Sequence, residues 1–300
     1  MTFDRLFLQY QAYLEKVRGL KPGSRRQHER PVREFLGFLA RREVFDLRRL
    51  QPSDIDAFVE RRARGKARST IAGIAGGLRG LLRYLAFRGM VAPTLAAAVE
   101  RPRMYALESL PRCLAPDEIE RLLAAIDVRT PIGRRDTAAY TLMLSTGLRA
   151  TEVIALTLDD VDWERRLIRI QESKTGRSRV VPFAVEAGAA LVRYLREDRP
   201  RSAPTRLLFL TVRPRAGRPF KNRHNLYMRL RRYARQAGIR SPVFLYALRH
   251  SFAQNLLEGG AGHATLQQML GHASTRWLAI YTKVSVEAMR EVANNYAEEM

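Results

Sequence analysis

The sequence predicts a mainly α-helical chain in two domains. An all-helical N-terminal bundle precedes a larger, mostly helical domain with a small antiparallel sheet. Three observations predict this. Apolar residues recur at helical spacing in four successive segments of the first hundred residues. The period shifts towards two between Trp163 and Phe183. Residues 101–111 hold Pro102 and Pro111 without sustained periodicity, and read as a linker between a domain of residues 1–100 and one of residues 112–300. Three hundred residues suffice for two such domains, each with its own core.

In the N-terminal domain, Phe3, Leu6, Phe7, Tyr10, Tyr13, Leu14 and Val17 form the first apolar face, stopped by Gly19 and Pro22-Gly23. Ser24 is the candidate cap of a second helix, with Val32, Phe35, Leu36, Phe38 and Leu39 on its face. Pro52-Ser53-Asp54 starts a third through Ile55, Phe58 and Val59. Ser69-Thr70 opens a fourth through Ile71, Ile74, Leu78, Leu81, Leu82 and Leu85. Arg61, Arg62, Arg64, Lys66 and Arg68 form a basic run between the third and fourth helices, which a solvated linker explains as well as a phosphate contact.

Beyond the linker, Pro116-Asp117-Glu118 begins a helix through Ile119, Leu122, Leu123 and Ile126, its acidic first turn suited to the helix dipole. A further helix starts near Ser145-Thr146-Gly147 and carries Arg149. Leu167-Ile168-Arg169-Ile170 and Arg179-Val180-Val181-Pro182 read as strands joined through Ser173-Lys174-Thr175-Gly176. From Asn222 onward the pattern is helical, broken from Gly238 to Pro242 and from Gly259 to Gly262.

Charge narrows the class of partner. The chain has 53 Lys and Arg against 30 Asp and Glu, a formal +23. Residues 1–110 carry 22 basic and 11 acidic residues and the remainder 31 and 19, so both halves are cationic and no detachable basic tail carries the excess. Such an excess attracts polyanions, with nucleic acid the first candidate. Arginine supplies nearly all of it and makes forked bonds to phosphate that lysine cannot; a genome biased towards arginine codons is the alternative source. No apolar run approaches the roughly 18 residues of a membrane span, and the N-terminus lacks a signal-peptide core. The lone Cys113 excludes an internal disulfide framework and cannot by itself ligate a structural zinc. These features favour the cytoplasm, in association with the nucleoid.

Four short motifs carry chemistry. They are Thr146-Gly147-Leu148-Arg149-Ala150-Thr151-Glu152, the turn around Lys174, Ala247-Leu248-Arg249-His250-Ser251-Phe252, and Leu270-Gly271-His272 followed nine residues later by Tyr281. Cutting a phosphodiester without a metal requires cations against the non-bridging oxygens, a nucleophile, and an acid for the leaving oxygen. Two arginines can bracket one phosphate and stay protonated at working pH. Glu152, three residues after Arg149, is placed to hold it. A tyrosine oxygen can form a covalent phosphoester.

In this order and context the motifs resemble the tyrosine recombinases, the phage integrase and Xer family. The resemblance covers essentially the whole chain. It implies that Tyr281 is the nucleophile, that Arg149 and Arg249 hold the phosphate, and that His272 assists. Lys174, on a β-hairpin, would protonate the leaving 5′ hydroxyl, and His250 would pack and hydrogen-bond in support. Family members usually carry histidine three residues before the second arginine. Here that position is Tyr246, which could donate one hydrogen bond to a phosphate oxygen but, with a reference pKa of about 10, would supply no positive charge. That departure argues for a mobile-element enzyme over a housekeeping Xer protein.

The resemblance further implies a C-shaped DNA clamp, with the N-terminal helices as a core-binding domain opposite the catalytic domain and no arm-binding domain before it. The partner would be double-stranded DNA, with four protomers on two DNA sites, monomer or dimer without DNA, and accessory DNA-bending proteins as candidate helpers. The reaction would be strand exchange through 3′-phosphotyrosyl intermediates and a Holliday junction, with no cofactor or metal. Residues from Ser285 to Met300 would form a helix docking on a neighbouring protomer, or capping their own domain. Three rivals stand beside this reading: a type IB topoisomerase, a DNA-binding regulator of the same fold without catalysis, and a metal-dependent nuclease. The last lacks its acidic cluster, because Asp159, Asp160 and Asp162 fall at a turn into the first strand.

Overall fold

A computed structural model describes residues 2–103, 112–171, 178–212 and 216–271. The chain divides into two compact units, Met1–Glu108 and Ser109–Met300. Among its described residues the first holds helices and no strand: α1 (Phe3–Lys16), α2 (Pro22–Arg41), α3 (Pro52–Ala63), α4 (Arg68–Phe87) and the short α5 (Thr94–Ala98). Its core is built from the faces predicted by periodicity, with Tyr10, Val32, Phe35, Leu39, Leu78, Leu81 and Leu82 fully buried, except that Val17, expected on the first face, lies past the end of α1 and is exposed.

Two helix starts and one helix end differ from expectation by one to three residues. Helix α2 begins at Pro22, before Ser24, with Lys21 at the cap. Proline's fixed φ and missing N–H suit the first helical position, so no side-chain cap is needed there. Helix α4 begins at Arg68 after Ala67. Arg61 and Arg62 lie inside α3 rather than in a linker, and Arg62 pairs with Glu34 of α2 at 2.7 Å.

The second unit contains α6 (Pro116–Ala124), α7 (Pro131–Thr146), α8 (Ala150–Val153), a sheet, α9 (Val185–Glu197), α10 (His224–Gln236), α11 (Leu245–Glu258) and α12 (His263–Leu270). The sheet's strands β1 (Val161–Asp162), β2 (Leu167–Ile170) and β3 (Arg179–Pro182) are antiparallel in that order, with Val161 opposite Ile168 and Ile170 opposite Arg179. Helix α7, buried at Ala138, Ala139, Tyr140, Leu142 and Met143, runs through the core against α9 and α11.

The helix expected to start near Ser145-Thr146-Gly147 instead ends there. Its true start is Pro131 after Thr130, whose hydroxyl accepts from the Gly133 N–H. Gly147 is its left-handed cap, φ 63°, donating to the Met143 carbonyl. Arg149 is therefore not on that helix but caps the next one, α8.

Candidate functional site

The turn from α7 into α8 sets the first arginine. A Cβ at Gly147 would stand 2.4 Å from Phe252 Cδ1, so only glycine accepts both the positive φ and the close approach. Two residues on, the Arg149 backbone N–H donates to Glu152 Oε2 at 2.8 Å and its guanidinium to Oε1 at 2.9 Å. Both bonds run from Arg149 to the Glu152 carboxylate, which clamps the residue at its backbone and at its guanidinium while 31% of its side chain stays exposed.

The second arginine has no exposed surface. Arg249 Nη1 donates to the Gly147 carbonyl and Nη2 to the Leu270 carbonyl, each at 2.6 Å, tying the α7–α8 turn to the end of α12. Its Nη1 lies 4.0 Å from Glu152. Burial pushes its pKa down to about 10, and the charge of Arg149 acts in the same direction, while Tyr246 and Glu152 oppose it. The group stays protonated at neutral pH.

Arg179, unsuspected from sequence, completes the cluster. From the first position of β3, its Nη1 and Nη2 fork onto the Glu152 oxygens at 3.1 and 2.8 Å, and its Nε donates to the Met269 carbonyl at 2.9 Å. The side chain is only 7% exposed. No local spacing signals this residue, because its carboxylate partner Glu152 lies 27 residues away across the fold. Burial alone would raise the Glu152 pKa. The bonds and charge of Arg179, then those of Arg149, outweigh burial and hold it below the ordinary carboxylate value.

Gly271, at φ 60° after α12, fits the same junction. A Cβ there would meet Arg179 Nη1 at 2.8 Å.

Tyr246 and His250 lie one turn apart on α11. Their rings meet edge to face, centroids 4.3 Å apart, with His250 buried and Tyr246 42% exposed. Arg149, Tyr246 and Arg249 line one cavity of about 1050 Å³. The fold thus brings three of the six expected site residues together, flanked by Glu152 and His250. Lys174, His272 and Tyr281 lie outside the described residues.

The acidic turn is occupied structurally. Asp159 pairs with Arg206. Asp160 accepts from the Thr157 N–H and hydroxyl, each at 2.8 Å, and from Gln171. Asp162 accepts from the Arg165 N–H. Among the described residues no three His, Cys, Asp or Glu side chains cluster as a metal site, and no helix is long and apolar enough to cross a membrane.

Residues 112–288 match the model of the phage integrase family, and residues 7–89 match the phage integrase N-terminal SAM-like domain. The chain is 34% identical over 285 residues to a putative integrase/recombinase, y4rA, of Sinorhizobium fredii, covering 95% of this chain and 69% of that protein. It is 30% identical over 290 residues to the tyrosine recombinase XerD of Listeria monocytogenes, covering 95% of each. Among solved structures, the XerH site-specific recombinase on a palindromic difH substrate superposes with TM-score 0.74 at 22% identity, over 97% of this chain and 85% of that one. The Tn1549 transposon integrase with circular intermediate DNA gives 0.65 at 19%, over 95% and 99%. At these identities the structures show a shared fold.

Proposed function

We infer, from the premise that this chain belongs to the phage integrase family of tyrosine recombinases, a site-specific DNA recombinase of a mobile element that integrates or transposes DNA. Tyr281 attacks the scissile phosphate and forms a 3′-phosphotyrosyl bond. That bond conserves the energy of the cut strand, so religation draws on neither ATP nor a metal. Arg149 and Arg249 stabilise the charge developing on the phosphate, Lys174 protonates the leaving 5′ oxygen, His272 assists, and Tyr246 adds one neutral hydrogen bond. Two such exchanges pass through a Holliday junction in a homotetramer on two DNA sites, with accessory DNA-bending proteins as further partners. The unit of residues 1–108 acts as the core-binding half of the clamp, and the protein works in the cytoplasm on the nucleoid.

The observation that supports this best is the convergence of Arg149 and Arg249 on Glu152 beside Tyr246, in one cavity. Three guanidinium groups, those of Arg149, Arg179 and Arg249, stand against the single carboxylate of Glu152, so net positive charge remains beside that cavity, which suits a phosphodiester.

A nicked duplex made from the DNA that flanks the gene tests the chemistry. Wild type is expected to trap a covalent protein–DNA adduct, in EDTA as well as without it, and Tyr281→Phe to lose it. An adduct that vanished only in Tyr246→Phe would reassign the nucleophile.

The likeness to XerD, nearly end to end in both proteins, favours a second reading, housekeeping resolution of chromosome dimers. Recombination between the element's own ends in a two-site plasmid, against recombination at chromosomal resolution sites, separates the two.

A further inference from the structure

The cavity shared by Arg149 and Arg249 is larger and more aromatic than a phosphate requires. A phosphate calls for cations and N–H donors, yet this space of about 1050 Å³ is also walled by Tyr227, Phe244 and Tyr246. Tyr227 and Phe244 stack with centroids 5.6 Å and planes 6° apart. Arg231 lies over the Tyr227 ring at 5.7 Å, and Lys221 and Arg223 add charge to the lining. Phe244 is the more telling residue. It stands at the cap of α11 and makes no side-chain cap bond, where Ser, Thr, Asp or Asn would satisfy a free N–H. It also keeps 53% of its surface exposed. Helix stability is forgone at this position to hold a large π face at the cavity. Cations beside an exposed π face, backed by a second ring, are the composition that binds a nucleotide: charge takes the phosphate and the ring takes a base.

We propose that the cavity is a nucleotide site, in which a phosphate lies between Arg149 and Arg249 while the base of the adjoining nucleotide stacks on Phe244, backed by Tyr227. This rests on the reading of the two arginines as phosphate holders. A base so placed has left the duplex stack, so DNA that unstacks easily next to the cut is favoured without any contact to base edges.

Inorganic phosphate, 2-deoxyribose 5-phosphate and deoxyadenosine 5′-monophosphate separate the contributions when titrated into the full chain and followed by calorimetry or ligand-observed NMR. The nucleotide is expected to bind about tenfold tighter than phosphate, the sugar phosphate to bind like phosphate, and the gain to disappear in Phe244→Ser. Serine suits the cap, so thermal unfolding of that variant should occur at or above the wild-type temperature. Phe244→Leu, which keeps apolar bulk without the ring, provides a second variant and should also lose the gain. Equal binding of nucleotide and phosphate, a gain that survives both substitutions, or a gain already present with the sugar phosphate overturns the proposal. Phosphate binding that Arg149→Ala abolishes shows that the arginine reading stands even when the aromatic wall fails. Absence of phosphate binding in wild type overturns both.

Discussion

Arg179 and Glu152, 27 residues apart in the chain, form a forked ion pair in which both side chains are less than 10% exposed. Glu152 also fixes Arg149, and Arg179 also holds the Met269 carbonyl, so one bidentate contact joins the sheet, the arginine turn and the end of α12. Removing one member of a buried pair leaves the other uncompensated. Arg179→Ala is therefore expected to destabilise the chain by about 3–5 kcal/mol. Arg179→Lys keeps the charge but loses the fork, for about 1.5–3 kcal/mol. Urea unfolding with an unchanged denaturant slope measures both. A lysine variant as unstable as the alanine variant would deny the charge any part.

The depressed pKa of Glu152 gives stability a pH dependence of defined sign. The unfolded chain takes up this proton near the ordinary value of 4.5, and the folded chain only at lower pH. The stabilisation is thus fully present above that ordinary value and is lost as pH falls through the folded-state pKa. Stability measured from pH 7 to pH 3 should drop more steeply in wild type than in Glu152→Gln, which starts lower and flattens. Parallel curves for the two proteins would show that Glu152 does not carry the acid limb.

Much of this site was legible in the sequence because its signals are local. The spacing within each arginine box placed Arg149 next to its acid, and periodicity delivered α1 to α4 and both long strands. Arg179 was not legible, because its partner lies across the fold and strand periodicity says nothing about which acid a basic side chain will meet. The Thr146-Gly147 junction was misread for a physical reason. A threonine followed by glycine resembles a helix start, but here the Thr146 hydroxyl donates back to the Leu142 carbonyl and Gly147 takes the left-handed cap of a helix that is ending.

Gly147 and Gly271 should tolerate alanine poorly, for different reasons. Both have positive φ, which costs an alanine about 1–2 kcal/mol. At Gly147 the new Cβ would also press on Phe252 at 2.4 Å and on Leu270 at 2.9 Å, and overpacking adds about 1–3 kcal/mol. At Gly271 the obstacle is the Arg179 guanidinium, a mobile group whose displacement disturbs its bonds to Glu152 and Met269. Thermal unfolding should therefore show Gly147→Ala as the less stable variant. Gly271→Ala and Arg179→Ala should combine less than additively in a double-mutant cycle. Strict additivity would show that Gly271 does not act through Arg179.

Tyr246→His makes the most direct trial of this chain's departure from the usual family pattern. A tyrosine hydroxyl carries no positive charge and offers one hydrogen bond. Histidine titrates with an unperturbed pKa of about 6.5, and the neighbouring charges of Arg149 and Arg249 would lower that value further. A gain from added positive charge is therefore expected only on the acid side. Adduct formation by Tyr246→His should rise relative to wild type as pH falls below about 6.5 and match it within a few-fold at pH 8. Tyr246→Phe, which removes the hydroxyl alone, should be slower by roughly 2- to 10-fold at every pH, the worth of one net hydrogen bond. Rates measured from pH 5.5 to pH 8.5 decide it. A histidine variant whose profile parallels wild type throughout would mean that position 246 does not face the phosphate.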